Sequence, residues 1–157
     1  MSTPTTSLTA IGSKRRPLGR LRYETSEDPP AFVVRGAGAI GPALVRDDLA
    51  RAQTFGAAHP AGWCYVADAR WVVWPSPRIV RYVRRIRRLP NVRGYLLVAR
   101  LPVRLAVRPL RLVGGPHKAF RSLDRALVDA ARRTGRPEPG GRRRRIRRSR
   151  ARDGRAS

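Results

Sequence analysis

Between residues 21 and 135 the apolar positions switch repeatedly between strand-like and helix-like spacing. Residues 21–25 and 31–35 read as short strand segments on either side of an acidic turn, 26–30, in which Asp28 precedes Pro29 and Pro30. That punctuation predicts two strands joined by a tight connection. From 42 to 58, Val45, Leu49, Ala52 and Phe55 recur at helical spacing, and Pro42 is tolerated in a first turn. Residues 63–67 predict a strand ending at Asp68, which 71–74 either continue or follow as a loop. Residues 77–89 carry the best-marked helix. Ile79, Tyr82, Val83, Ile86 and Leu89 fall on one stripe, with Ser76 placed as N-cap, Pro77 at the first position and Pro90 as the stop.

The second half repeats the alternation. Residues 95–99 are a continuous apolar run of strand length, and Val103, Ala106, Val107 and Leu110 return to helical spacing until Pro109 interrupts it. Residues 118–121 predict a short strand, and Ser122 then caps a last helix with Leu123, Ala126, Leu127 and Ala130 facing inward. The order β-β-α-β-α-β-α-β-α implies an α/β fold: a single small domain with a mixed sheet of about five strands and helices packed on it.

The flanks read differently. Residues 1–20 are rich in Ser, Thr and Pro and then basic, and predict a flexible arm. Residues 136–157 open with Pro137, Pro139, Gly140 and Gly141, and continue with Arg142, Arg143, Arg144, Arg145, Arg147 and Arg148. Such a like-charge block repels itself and predicts a disordered tail unless a polyanion neutralises it. The domain is therefore expected at 21–135.

Charge sharpens this division. The chain has 157 residues, with 35 Lys or Arg against 10 Asp or Glu, for a net charge of +25. Residues 1–22 carry +5, 23–135 carry +12 and 136–157 carry +8. Nearly all of the basic residues are Arg, a bias that GC-rich coding produces, although coding bias does not explain so few carboxylates. A net charge of this size serves solubility or an anionic partner. One cysteine, Cys64, excludes a disulfide framework within the chain and a multi-cysteine zinc site. No apolar run reaches the ~18–20 residues of a membrane span, and the first ten residues lack a signal peptide's apolar stretch, so a cytoplasmic protein is expected.

Few residues suggest chemistry. Gly36-Ala37-Gly38-Ala39-Ile40-Gly41 is a literal G-x-G-x-x-G between a strand and a helix, the context in which a dinucleotide pyrophosphate meets a helix N-terminus. Its acidic partner would be Asp68, at the end of the next strand but farther along than that pattern requires. The bland alternative is a Gly/Ala connector, with Asp68 capping the turn after it. His59 and His117 lack a sequence-local carboxylate or cysteine and read as ordinary loop residues, and Cys64 reads as a small buried hydrophobe. Trp63, Trp71 and Trp74 read as core, although aromatics interleaved with Arg also stack on bases. No catalytic constellation, metal site or cofactor is expected. The predicted 77–89 helix has a second stripe of Arg78, Arg81, Arg85 and Arg88, flanked by Arg84 and Arg87. Arg100, Arg104, Arg108 and Arg111 decorate the following helix in the same manner. These are either solvated faces or a phosphate-binding or partner-binding patch.

From residue 21 to about 131 the chain resembles the STAS domain, the fold of bacterial anti-sigma-factor antagonists. The segments that carry this are the hairpin ending at Gly36, Tyr65-Val66-Ala67-Asp68, Ser76 opening a helix, Tyr95-Leu96-Leu97-Val98-Ala99 before a proline-containing helix, and the closing segment Lys118 to Leu127. The resemblance implies a non-catalytic regulatory domain that contacts a protein partner in the bacterial cytoplasm. It also implies a phosphosite at the start of the helix after the acid-ending strand, where Ser76 lies. Pro75 and Pro77 replace the family's usual Asp and Gly neighbours. The expected interaction surface is thus Ser76 with Arg78, Arg81, Arg85 and Arg88. A second reading is non-specific nucleic-acid binding through the tail arginines and helix faces, and a third is dinucleotide binding at Gly36, Gly38, Gly41 and Asp68.

Overall fold

The computed structural model describes residues 7–16, 19–75, 79–106 and 116–135. Six strands form one sheet: β1 (Thr9–Arg16), β2 (Gly19–Glu27), β3 (Pro30–Ile40), β4 (Trp63–Pro75), β5 (Val92–Val98) and β6 (Lys118–Phe120). Four helices connect or follow them: α1 (Pro42–Ala58), α2 (Ile79–Arg87), α3 (Leu101–Ala106) and α4 (Leu123–Thr134). The strands lie in chain order, β1 to β6. The first three pair antiparallel, and β3, β4, β5 and β6 run parallel, each joined to the next through a helix. This is the expected mixed α/β sheet.

Alternation along the strands explains why both sheet faces are dry. Phe32 and Val34 of β3, Trp63 and Tyr65 of β4 and Tyr95 of β5 pack on one face against Leu44, Ala52 and Phe55 of α1 and Tyr82, Val83 and Ile86 of α2. Their neighbours Ala31, Val33, Cys64, Val66, Leu96 and Val98 pack on the other face against Leu123, Ala126, Leu127 and Ala130 of α4. Successive side chains of a strand leave on opposite sides, so a strand covered on both faces reads as an unbroken apolar run. Each fully buried Val, Leu, Ile or Phe contributes about 1.5–3 kcal/mol.

Two expectations change. Residues 9–16 form strand β1 rather than part of an arm, which makes the strands six instead of about five. β1 pairs with β2 through a bulge at Gly12, whose φ of 140° suits glycine, and Lys14 reaches Asp47 on α1 at 2.9 Å. It is an edge strand with little apolar content, held by its backbone pairing, and it therefore leaves no periodic signal. β3 also runs on to Ile40, several residues beyond its predicted end, and of the two readings of 71–74 the structure takes the one in which they continue β4, to Pro75. The 136–157 tail and the 1–6 segment lie outside the described residues.

Candidate functional site

α2 is held on one side and presents arginines on the other. Ile86 is completely buried, and Tyr82 and Val83 nearly so. Arg81, Arg84, Arg85 and Arg88 lie at the surface. The predicted stripe at Arg81, Arg85 and Arg88 is therefore one outward face, while Ser76 and Arg78 lie outside the described residues. Arg87 is half-buried, its guanidinium 3.2 Å from His117 Nε2. Burial, with Arg87 and Arg133 nearby, holds the His117 imidazole below its ordinary pKa, and its Nδ1 accepts the Tyr95 backbone N–H at 2.9 Å.

A buried carboxylate fixes α2 against α1. The Tyr65 and Tyr82 hydroxyls both donate to Asp48 Oδ2, and the two hydroxyl oxygens lie 3.2 Å apart. Asp48 Oδ1 has no hydrogen-bond partner. Burial pushes the Asp48 carboxyl up to about 7, with the two tyrosine bonds pulling against it. Burial and the Asp48 charge raise both tyrosines well above their ordinary range. Tyr95 stacks nearly parallel on Tyr65 at 5.1 Å and closes the cluster. Asp48 was missed in the sequence, yet it had a signal: it sits four residues after Leu44 and four before Ala52, on the stripe α1 buries.

The other candidate residues fall elsewhere. Gly36 and Gly38 lie inside β3, paired with Leu21 and Gly19 of β2, and Gly38 also pairs with Val72 of β4. Gly41 alone stands at the N-cap of α1. A Cβ at Gly36 would come within 2.9 Å of Val72 Cγ2, so the missing side chain lets β4 lie close. The glycine run is thus paired strand, not the loop over a helix terminus that pyrophosphate binding requires. Asp68 is 3% exposed and is occupied by Arg70: its two oxygens take Arg70 Nε at 2.9 Å and Nη2 at 2.7 Å, and Oδ1 also accepts the Arg70 backbone N–H. It holds Arg70 two residues on along the same strand, and no turn follows for it to cap, because β4 continues to Pro75.

Cys64 is buried, as expected, and burial raises its thiol to about 12. Trp63 is core and donates to Pro90 O, but Trp71 is 64% exposed, contrary to its reading as core. β4 outruns β5, whose pairing with it stops at Asp68 and Val98, so Trp71 stands beyond the doubly covered part of the sheet. His59 stacks on Phe55 at 4.0 Å and meets Glu27 at 2.9 Å. Among the described residues, no group of three or more His, Cys, Asp or Glu could hold a metal ion. No helix there is long and apolar enough to cross a membrane.

No protein-family model matches the chain. No curated protein matches it. Among solved structures it is similar to the crystal structure of an anti-sigma factor antagonist from Mycobacterium paratuberculosis, with 21% identity and a TM-score of 0.47, covering 83% of this chain and 98% of that one.

Proposed function

We propose that this chain is a non-catalytic, STAS-like regulatory domain that acts by docking an acidic protein surface on the outer face of α2, with Ser76 as its phosphosite. One observation carries this reading. The inner face of α2 is committed to the core through Tyr82, Val83 and Ile86, while Arg81 and Arg85 project from the helix, which directional bonds hold in place, and Arg88 projects from the turn that follows it. A rigid row of guanidiniums suits carboxylates, which Arg binds bidentately. A phosphate added to Ser76 would add a dianion five residues before Arg81 in the chain. It would compete with an acidic partner for the same arginines, giving modification an inhibitory sign.

The test is retention of partner proteins from nuclease-treated bacterial extract on the immobilised full chain, compared with an Arg81→Glu/Arg85→Glu/Arg88→Glu variant. An acidic protein kept by the wild type and lost by the charge-reversed variant is the expected result. Equal retention by both would overturn the proposed surface. The nucleic-acid reading draws on the +8 carried by residues 136–157. It requires DNA retention that falls steeply with salt and weakens when those residues are deleted, since each phosphate contact releases condensed counterions.

A further inference from the structure

Four guanidiniums converge where the parallel strands end. A cleft of about 440 Å³ is lined by Arg70, Ala99, Arg100, Leu101, Arg104 and Arg121. Arg70 follows the Asp68 end of the β4–β5 pairing, Ala99 and Arg100 follow β5, Arg121 follows β6, and Leu101 and Arg104 belong to α3. The Ala99 N–H bonds to Phe120 O at 3.0 Å and ties the ends of β5 and β6 together beneath the cleft. Residues far apart in sequence therefore reach one place through the sheet's register.

Their charges are not balanced there. Asp68 neutralises Arg70, and Asp124 also acts on it. Arg100 lies over the Trp71 ring at 4.8 Å. Among the described residues, no carboxylate forms an ion pair with Arg100, Arg104 or Arg121. The Nε of Arg104 is buried and makes no hydrogen bond. A buried donor without an acceptor is costly, and so is gathering like charges around one concavity. A ligand with several anionic oxygens relieves both costs, and the guanidinium fork matches phosphate geometry.

We infer that this cleft binds a phosphate group, either inorganic phosphate or the phosphate of a small monoester. Arg104 Nε supplies the buried donor, and Arg100 and Arg121 flank the anion. The volume lies within the range of small-ligand sites, and Ala99 and Leu101 offer apolar wall to an ester substituent. The site uses none of the α2 arginines, so it stands or falls apart from the docking surface proposed above.

Calorimetric titration of the full chain at low ionic strength tests it, with inorganic phosphate and phenyl phosphate as probes. Saturable one-to-one binding is expected, weakened about tenfold by Arg104→Gln or by Arg121→Gln and unchanged by Arg81→Gln/Arg85→Gln. Tighter binding of phenyl phosphate identifies a monoester site, and binding of inorganic phosphate at least as tight identifies a free-phosphate site. Arg121 is exposed, so its variant serves if circular dichroism shows that Arg104→Gln does not fold. No saturable binding of either probe, or equal weakening in the cleft and α2 variants, would overturn the inference.

Discussion

The two faces of the sheet are built from different chemistry. Against α1 and α2 lie the sheet's rings Tyr23, Phe32, Trp63, Tyr65 and Tyr95, in tilted, edge or stacked contact with one another or with Phe55 of α1, and the Asp48 carboxylate sits among them. Against α4 lie small and aliphatic side chains, and Asp129 of α4 takes Lys118 at 2.9 Å and Arg133 at 2.7 Å. Aliphatic burial is non-directional and sets a distance between layers. Hydrogen bonds to a buried carboxylate also set rotation and register. The helix proposed to meet a partner is therefore the one whose orientation is fixed directionally, while α4 is held by contact area.

Substitutions at the centre of each face probe this contrast most strongly. Phe32 touches Tyr23, Phe55 and Tyr65 at ring-centroid separations of 5.6–6.0 Å. Phe32→Ala is expected to cost about 3–5 kcal/mol in urea unfolding, and Leu96→Ala on the opposite face about 2–5 kcal/mol. Loss of near-ultraviolet circular dichroism in the folded Phe32→Ala protein, but not in Leu96→Ala, would place the directional packing on the α1/α2 side. Equal loss in both would erase the distinction.

The pH dependence should separate the faces next. Asp48 is protonated in the folded protein up to about pH 7, against 3.8 for an ordinary aspartate. Its contribution to stability is therefore fully present below about pH 4 and lost as pH rises through about 7, a change on the order of a few kcal/mol. Asp129 behaves oppositely. Burial raises its pKa, but Arg133 and Lys118 outweigh burial and lower it, so its contribution is lost as pH falls below the usual carboxylate range. Asp48→Asn should flatten the decline between pH 4 and 8 and leave the acid limb unchanged. Parallel wild-type and variant profiles across that interval would mean the buried carboxylate does not set the α1/α2 face apart.

Smaller effects follow toward the periphery. A Cβ at Gly56 would stand 2.8 Å from Trp63 Nε1, whose N–H donates to Pro90 O. Gly56→Ala should cost about 1–3 kcal/mol and alter tryptophan fluorescence as the indole is displaced. At the sheet edge, Lys14→Ala removes a part-exposed ion pair and should cost less than about 1 kcal/mol in the same unfolding measurement. A larger loss would mean that β1 depends on that pair for its place on the sheet.

What was legible in the sequence follows the same gradient. The bounds of α1 and the inward residues of α4 could be read because both helices bury one stripe and carry Pro42 or Ser122 at their starts. The 31–34 and 95–98 runs were legible as strands because both sheet faces are covered. β1 was not, since an edge strand whose apolar side chains are only Ala10 and Ile11 has no apolar period. The glycine run from Gly36 looked like a phosphate loop because the same absence of side chains also serves close strand packing. For the sites, the α2 arginine stripe lies within one helix and was plain from spacing. The cleft joins Arg70 of β4, Arg100 and Arg121 just past the ends of β5 and β6, and Arg104 of α3, and no local pattern announces it.

The strict chain order of the sheet also bears on how the protein is made. Every strand pairs with the strand synthesised just before it, from β1 through β6. As the chain leaves the ribosome, each new strand finds its template already in place. The sheet grows in one direction from the β1–β2 pair, and each open edge is filled by the next strand to be made. Neighbour-only pairing keeps each connection as short as a parallel crossover allows, which limits the loop-closure entropy that each new strand must overcome.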